Sequence, residues 1–537
     1  MLNNKQIAAR FDMLAKVMEL HGENRFKINS YANAFNTLRK LEGDLVTMDR
    51  GELESISGVG KNIADKIQEL LITGELNTLN KYLNLTPDGV VEMLSIKGLG
   101  PKKVEQIWKV MGIETVGELL YACQENRLVK YKGFGEKMQE EIQTKLEYHI
   151  ESKGKYLYGH VEKQAFELLY LLRETFPTKR FELGGTFKRG MPEVTQIDVF
   201  TNHELEEINV EGLEFKEDKC FFKNIPVQFS YSESILIDVF KSSCSADFLS
   251  CFDILNKNYE DEEAIFSAHG LNFIPNEYRE STKTISLYKD TSPRLIEVTD
   301  IKGIVHNHST YSDGLHTLEQ MSDYVQHCGF EYFVISDHSQ SATYADGLKE
   351  EKVLAQWREI DHLNEKYGPA FKVYKGIESD ILSDGSLDYR EDILAGFDVV
   401  IASVHSVLSM DKNKATQRLI KAVENPYTRI LGHPTGRLLL ARPGYPIDYK
   451  KVIDACAANH VIIELNANPQ RLDLDWTWIE YCMEKGVKIA INPDAHSKES
   501  IHYIRYGTLM ARKGGLTKDM CLNTLSKEEF DVWRNSK

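Results

Sequence analysis

Apolar positions recur at intervals of three and four through the first 150 residues, as in Ile7, Phe11, Leu14, Val17 and Met18 and again in Ala64, Ile67, Leu70 and Leu71. That spacing predicts helices joined by short connectors. Between 156 and 240 the pattern changes to the short apolar runs FELGG and IDVF and to the alternating VQFSYS. These predict a small mixed α/β unit. Residues 241–300 turn polar toward KDTSPRL, a linker-like stretch. From 301 onward seven apolar runs, GIVHNH, YFVISDH, KVYKGIES, VVIASVH, RILGHP, VIIELNAN and VKIAINPDAH, alternate with helix-length segments. Such repeats predict a parallel β/α architecture, here a barrel, in which the C-terminal strand ends carry the chemistry. Every run except VIIELNAN carries a His, Asp or Glu at its last or next-to-last position.

A chain of 537 residues, 42% hydrophobic and 27% charged, is a folded multidomain protein rather than one small module, a disordered chain or a fibre. The formal net charge of −16 argues against a protein that coats polyanions along its whole surface. The first 150 residues hold 20 Lys and Arg against 21 Asp and Glu, so the acidic excess lies beyond them and any nucleic-acid contact must be local. Eight cysteines, including Cys220, Cys244, Cys251 and Cys456, show no paired spacing, which predicts buried thiols in a reducing interior. MLNNKQIAARF has no basic region followed by an apolar one, and no run of about 18 apolar residues occurs, which predicts a cytoplasmic protein without membrane contact.

The residues at the strand ends point to metal. His306 and His308 in HNH share one face of an extended segment, so both imidazoles can reach one ion. Asp313 follows in YSDG, His338 in SDH, Glu378 in GIES, His405 in SVH, His433 in GHP, and Asp494 with His496 in PDAH. Burying so many polar groups without partners would cost kilocalories apiece. Mixed imidazole and carboxylate ligands suit Zn²⁺, Mn²⁺ or Fe²⁺ better than Ca²⁺ or Mg²⁺, and nine of them imply more than one ion. Clustered ions activate water and stabilise charge on phosphate, so phosphoester hydrolysis is the expected chemistry.

HNHSTYSDG, SDHS, GIESDI, SVH, GHPTGR and NPDAH together resemble the polymerase-and-histidinol-phosphatase (PHP) domain, from 301 to about 520. The resemblance implies a distorted (β/α)₇ barrel with three divalent ions. It assigns His306, His308, Glu378 and Asp494 to one ion, Glu378, His405 and His433 to a second, and Asp313, His338 and His496 to a third. Arg437, four residues past His433, is a candidate clamp for a substrate phosphate, with a salt bridge as the alternative.

In the helical third, LESISGVGKNIADKI sets Gly58, Val59 and Gly60 between two apolar helices, with Lys61 opening the second. Glycine allows the tight turn, and backbone amides at the next helix start can bind phosphate. The pattern recurs in LSIKGLGPKKVEQI, with Gly98, Leu99, Gly100, Lys102 and Lys103, and less fully in LVKYKGFGEKMQEEI around Gly133, Phe134 and Gly135. These segments resemble helix-hairpin-helix motifs, which grip DNA backbone without reading sequence.

RFKINSYANAFNTLRKL and the order of everything after it resemble the bacterial type of family X DNA polymerase with a C-terminal PHP domain. The resemblance places a lyase lysine at Lys66, with Asn62 where some relatives carry a basic residue. FELGGTFKRG resembles the family's nucleotide-binding turn, with Gly184, Gly185, Thr186, Arg189 and Gly190. QIDVF follows where the family has paired aspartates, but only Asp198 is acidic. Gln196 fills the first position, Gln228 aligns with the third, and KSSCSADF replaces the nucleotide-selecting stretch. Palm Mg²⁺ and synthesis are therefore expected to be weak or absent.

The expected protein is multidomain, α+β and α/β. A helical DNA-binding domain spans 1–83 with the first hairpin, and a helical fingers-like domain spans 84–150 with the others. A palm-like nucleotidyltransferase remnant spans 151–240, a thumb-like domain 241–290 and a linker 291–300, before the phosphoesterase barrel over 301–537. The expected activity is 3′–5′ exonuclease or end processing in DNA repair, by a monomer that meets gapped, nicked or 3′-ended DNA at the nucleoid. Gap-filling synthesis, small-molecule phosphatase action and a DNA-binding scaffold stand as alternatives.

Overall fold

The computed structural model describes residues 3–39, 41, 44–96, 98–151, 154–216, 219–253 and 259–536. Contacts divide the chain into two units, Met1–Gln124 with Gly133–His149, and Glu125–Lys132 with Ile150–Lys537.

The first unit is helical. Its hairpins lead into α1 (Lys61–Thr73) and α2 (Pro101–Lys109), followed by α3 (Val116–Gln124) and α4 (Glu136–Glu151). One apolar face of each of the first two is buried, through Ile63, Ala64, Ile67 and Leu70 in α1 and Val104 and Ile107 in α2.

The second unit begins with a mixed sheet in the order β1-β2-β5-β4-β3: Phe181–Leu183, Ile197–Thr201, Ile225–Tyr231, Lys219–Phe222 and Leu213–Lys216. Only β2 and β5 run parallel, with Asp198 opposite Gln228. Alternation along β2 buries Ile197 and Val199 and leaves Asp198 on the other face. Ile237, Cys244, Ile265, Ile274 and Leu295 join a separate aromatic core around Phe240, Phe248 and Phe266.

Seven parallel strands follow in chain order: β6 (Gly303–Ile304), β7 (Tyr332–Ile335), β8 (Lys372–Asp380), β9 (Val399–Ser403), β10 (Thr428–Leu431), β11 (Ile462–Asn466) and β12 (Ile489–Asn492). Past the last strand Asn307 pairs in parallel with Ala495, and His308 N–H donates to Ala495 O at 2.8 Å, which joins the two edges. The strands are buried on both faces. Val399 and Ile401 join an inner core, while Val400 and Ala402 pack outward against the helices. One helix, Lys527–Arg534, lends Phe530 to the inner core, where its ring centroid lies 4.4 Å from that of Tyr332 and 4.8 Å from that of Tyr374. The polar ends of the strands lie at the opposite, C-terminal mouth. The eight cysteines are all free, and among the described residues no helix is long and apolar enough to cross a membrane.

Candidate metal centre and nucleic-acid interface

All nine strand-end residues meet at one mouth, eight buried and His405 partly so. Glu378 is the hub. Its Oε1 lies 2.9 Å from His433 Nε2, 3.1 Å from His405 Nε2 and 3.3 Å from His306 Nε2, and its Oε2 lies 2.8 Å from His338 Nδ1. His308 Nε2 is 3.0 Å from Asp494 Oδ1, while Asp313 Oδ1 lies 3.4 Å from His496 Nε2 and 3.6 Å from His338 Nε2. The ligand atoms of His308, Asp313, His338 and His496 lie within 4.8 Å of one another, as do those of His306, His308 and Glu378, and of His338, Glu378 and His405. His306 and Asp494 both hold positive φ, at 64° and 51°. Such strain persists where the surroundings fix it, commonly at functional sites.

The donor set fits metal. Buried atoms of the centre have no hydrogen-bond partner, among them His306 Nε2, His308 Nδ1, both ring nitrogens of His338, Asp313 Oδ2, Glu378 Oε2 and His496 Nε2. Native proteins rarely leave so many buried polar atoms unpaired, and ions satisfy all of them at once. Burial opposes charge on Glu378, yet the imidazoles of His405 and His306 hold its carboxyl well below the usual range. Burial pushes His338 down to about 4, which keeps it neutral as a ligand must be.

Residues that the strand-end motifs did not mark brace the ligands. Glu464 accepts from His306 Nδ1 at 2.6 Å, and Asp380 accepts from His405 Nδ1 at 2.6 Å. Each carboxylate thereby turns the Nε2 lone pair toward Glu378. Asp380 follows Glu378 by two residues, so the strand period could have found it. Glu464 lies inside VIIELNAN, the run set apart for lacking a terminal ligand. Asp337 accepts from Ser309 N, Ser312 Oγ and Gln356 Nε2 and braces the turn after HNH. Arg471 brings its Nε to 3.8 Å from Asp494 Oδ2. Arg437 spends its donors elsewhere: Nε donates to Arg471 O at 2.9 Å, and the other nitrogens reach Asp475 and Leu472 O. Its geometry is that of the salt-bridge alternative rather than of an open phosphate clamp.

The helical unit repeats one local device. In each hairpin the middle residue, Val59, Leu99 or Phe134, is buried between two exposed glycines. Gly58, Gly98 and Gly133 hold φ of 87°, 96° and 97°, which excludes most side chains. Val59 N–H donates to Ile56 O and Leu99 N–H to Ile96 O, closing tight turns. Gly60 and Gly100 then cap α1 and α2 without any side-chain bond, so first-turn amides are left for an outside acceptor. Gly135 precedes α4 with open space around it. Lys61 and Lys102 are exposed, whereas Lys103 folds back toward Gly98 O at 3.5 Å. Lys66 is half-buried and donates to Thr78 Oγ1 at 2.7 Å.

On the mixed sheet Gln196 Nε2 donates to Asp198 Oδ1 at 2.7 Å, and exposed Gln228 lies opposite Asp198 in register. Burial raises the Asp198 carboxyl, and the Gln196 amide partly offsets it. A Cβ on Gly185, at φ 62°, would lie 1.9 Å from Asp198 Oδ2, so only glycine passes there. Thr186 follows in the same short turn of helix, and Arg189 forks onto Glu280 at 2.7 and 2.6 Å.

Comparison with known proteins agrees with this division of labour. Residues 2–76 match the helix-hairpin-helix domain family, 90–147 the SAM-like helix-hairpin-helix tandem, and 305–468 the PHP domain. The DNA polymerase/3'-5' exonuclease PolX of Bacillus subtilis is 31% identical over 99% of this chain and 99% of its own length. A probable phosphatase of Thermoanaerobacter is 35% identical over 28% of this chain and 64% of its own length, and one of Acetivibrio thermocellus 27% over 42% and 92%. The solved histidinol phosphate phosphatase of Lactococcus lactis aligns at TM-score 0.32 and 17% identity over 40% of this chain and 94% of its own. The helical unit is thus a DNA-binding one, and the barrel that of a divalent-metal phosphoesterase. With hairpins, mixed sheet and PHP barrel in that order along nearly its whole length, the chain belongs to the bacterial PolX family, the family X DNA polymerases that carry a C-terminal PHP domain.

Proposed function

We propose that this protein trims DNA from 3′ ends, hydrolysing phosphodiester bonds at the barrel mouth, and that its palm no longer synthesises DNA. The carrying observation is the convergence of nine ligand-type side chains, seven of which keep buried atoms without a hydrogen-bond partner. Three ions of Mn²⁺, Zn²⁺ or Fe²⁺ match this donor set, and when bound they supply an activated water and offset charge on the scissile phosphate. The chain's own part is positional. Glu464 and Asp380 fix the tautomers of His306 and His405 through their Nδ1 protons, and Asp337 holds the turn that carries His308 and Asp313. Arg471, beside Asp494, adds positive charge at the mouth. Lys61, Lys102 and the hairpin amides hold gapped, nicked or 3′-ended DNA by its backbone, in a cytoplasmic monomer working at the nucleoid.

The palm does not fit two Mg²⁺. Asp198 is the one carboxylate among its three aligned positions, and the Gln196 amide donates a hydrogen bond to the oxygen a metal would need. Lys66, bonded to Thr78, is read as a structural lysine rather than a lyase nucleophile.

The test is end-labelled gapped DNA with Mn²⁺, with and without dNTPs, treated with the wild type and with a His306→Ala/His308→Ala variant. Shortening by the wild type alone supports the reading. Extension with dNTPs overturns the loss of synthesis, and no shortening overturns the nuclease. Kinship of the barrel to probable phosphatases favours a second substrate class, small phosphate esters. Hydrolysis of an aryl phosphate that excess DNA leaves uninhibited would favour it.

A further inference from the structure

The segment Glu125–Lys132 follows α3 in the chain yet belongs to the same unit as the barrel. Glu125 is 3% exposed, with its Oε2 2.6 Å from His496 Nε2. Two more groups of the segment reach the same mouth. Arg127 Nε lies 3.6 Å from Asp313 Oδ2 and its guanidinium stacks 4.7 Å over the Tyr344 ring, and Lys130 Nζ donates to Ser312 O at 3.1 Å.

The contact between Glu125 and His496 is incomplete as a hydrogen bond. His496 Nδ1 faces Asp494 O at 3.0 Å, and a carbonyl accepts only from a protonated nitrogen. When neutral, as a metal ligand must be, the ring presents a lone pair at Nε2, opposite the Glu125 carboxylate oxygen and, at 3.4 Å, Asp313 Oδ1. Neither Glu125 Oε2 nor His496 Nε2 has a hydrogen-bond partner. Glu125, Asp494 and His496 bring ligand atoms within 4.8 Å of one another, a spacing that fits a shared cation.

Building on the metal reading of the barrel, we propose that Glu125 is a further metal ligand of this centre, supplied from outside the barrel at the corner of Asp494 and His496, on a segment seated by Arg127 and Lys130. Metal at that corner then orders the segment 125–132, and the segment in turn raises affinity for that ion.

The experiment uses the full chain, stripped with chelator and titrated with Mn²⁺ or Zn²⁺ against a chromophoric competitor, comparing wild type, Glu125→Gln and Glu125→Asp. Backbone hydrogen exchange over 125–132 is read in the same samples with and without metal. One metal equivalent should weaken about ten- to hundredfold in Glu125→Gln and less in Glu125→Asp, and exchange over 125–132 in the wild type should slow when metal is added. Equal stoichiometry and affinity in a folded Glu125→Gln, or exchange indifferent to metal, overturns the inference and leaves the nuclease reading intact. A wild type that binds no metal overturns both.

Discussion

Replacing Glu464 by Gln changes no volume and removes no metal ligand, yet it should cripple the centre. Glu464 accepts four hydrogen bonds on two oxygens: His306 Nδ1 at 2.6 Å and Asn492 Nδ2 at 2.8 Å on Oε2, and Asn466 Nδ2 at 3.1 Å and the His433 main-chain N–H at 3.2 Å on Oε1. A glutamine must turn its NH₂ toward one of those pairs and so set donors against donors. Facing the Oε2 pair, it forces His306 to move its proton to Nε2 or to rotate, and either removes the lone pair aimed at Glu378. Facing the Oε1 pair, it strands the His433 amide and shifts the loop that carries that ligand. Loss of such a supporting carboxylate costs about ten- to hundredfold in metal affinity, about 1.4–2.7 kcal/mol. The assay is competitive Zn²⁺ or Mn²⁺ titration well below the melting temperature, with circular dichroism as the control for folding. A folded Glu464→Gln protein that binds metal within about threefold of wild type would refute the argument that His306 depends on this carboxylate.

Other consequences are equally open to measurement. Arg279 is fully buried under the Phe240, Phe266 and Phe273 rings and pairs with Glu262 at 2.6 Å, so Glu262→Gln strands its charge and should cost about 3–5 kcal/mol in denaturant unfolding. Burial alone would raise Glu262, but Arg279 and Lys188 outweigh it and hold its carboxyl below the usual 4.5. The folded state thus binds this proton less readily than the unfolded one. Its contribution is complete above about 4.5 and is lost as pH falls through the lower folded value, a loss that Glu262→Gln should not show. Lys61→Ala and Lys102→Ala should each weaken DNA binding equally across sequences and reduce the salt slope of log K by about one, measured by fluorescence anisotropy. Gln196→Asp with Gln228→Asp should restore Mg²⁺-dependent nucleotide incorporation next to Asp198. Wild-type incorporation as efficient as that of the double variant would show that the amides never mattered.

The strand-end cluster was legible because, apart from Asp313, each of its residues sits at the close of a short apolar run, and a buried strand that ends at once in His or Asp must find those side chains a partner. HNH, SDH and PDAH carried their chemistry in local spacing, and the barrel only had to bring the strand ends together. The hairpin glycines were legible for a similar reason: positive φ at Gly58, Gly98 and Gly133 is a local demand that recurs in sequence. The partners were not. Glu464 braces His306 from 158 residues away, and nothing in VIIELNAN distinguishes a supporting carboxylate from any buried strand residue. Arg437 had the spacing of a phosphate clamp, but Asp475, 38 residues on, claims its guanidinium. Glu125 sits in a helical stretch with no motif around it, and only the fold carries it to His496. Period and turn chemistry are written locally, whereas the pairing of charges across a barrel mouth belongs to the tertiary structure.

The central claim, that the metal-ligand cluster of the barrel hydrolyses DNA from its 3′ end, meets its most direct test in one gel. Gapped duplexes labelled at either end of the strand are incubated in Mn²⁺ with the wild type and with Glu378→Gln, the variant that neutralises the hub faced by five imidazoles. The strand carrying the 5′ label should shorten one nucleotide at a time while keeping that label, the 3′ label should leave at once as a single nucleotide, and a folded Glu378→Gln protein should lose at least about a hundredfold of both. Intact DNA with the metal-loaded wild type, or undiminished trimming by Glu378→Gln, would contradict it.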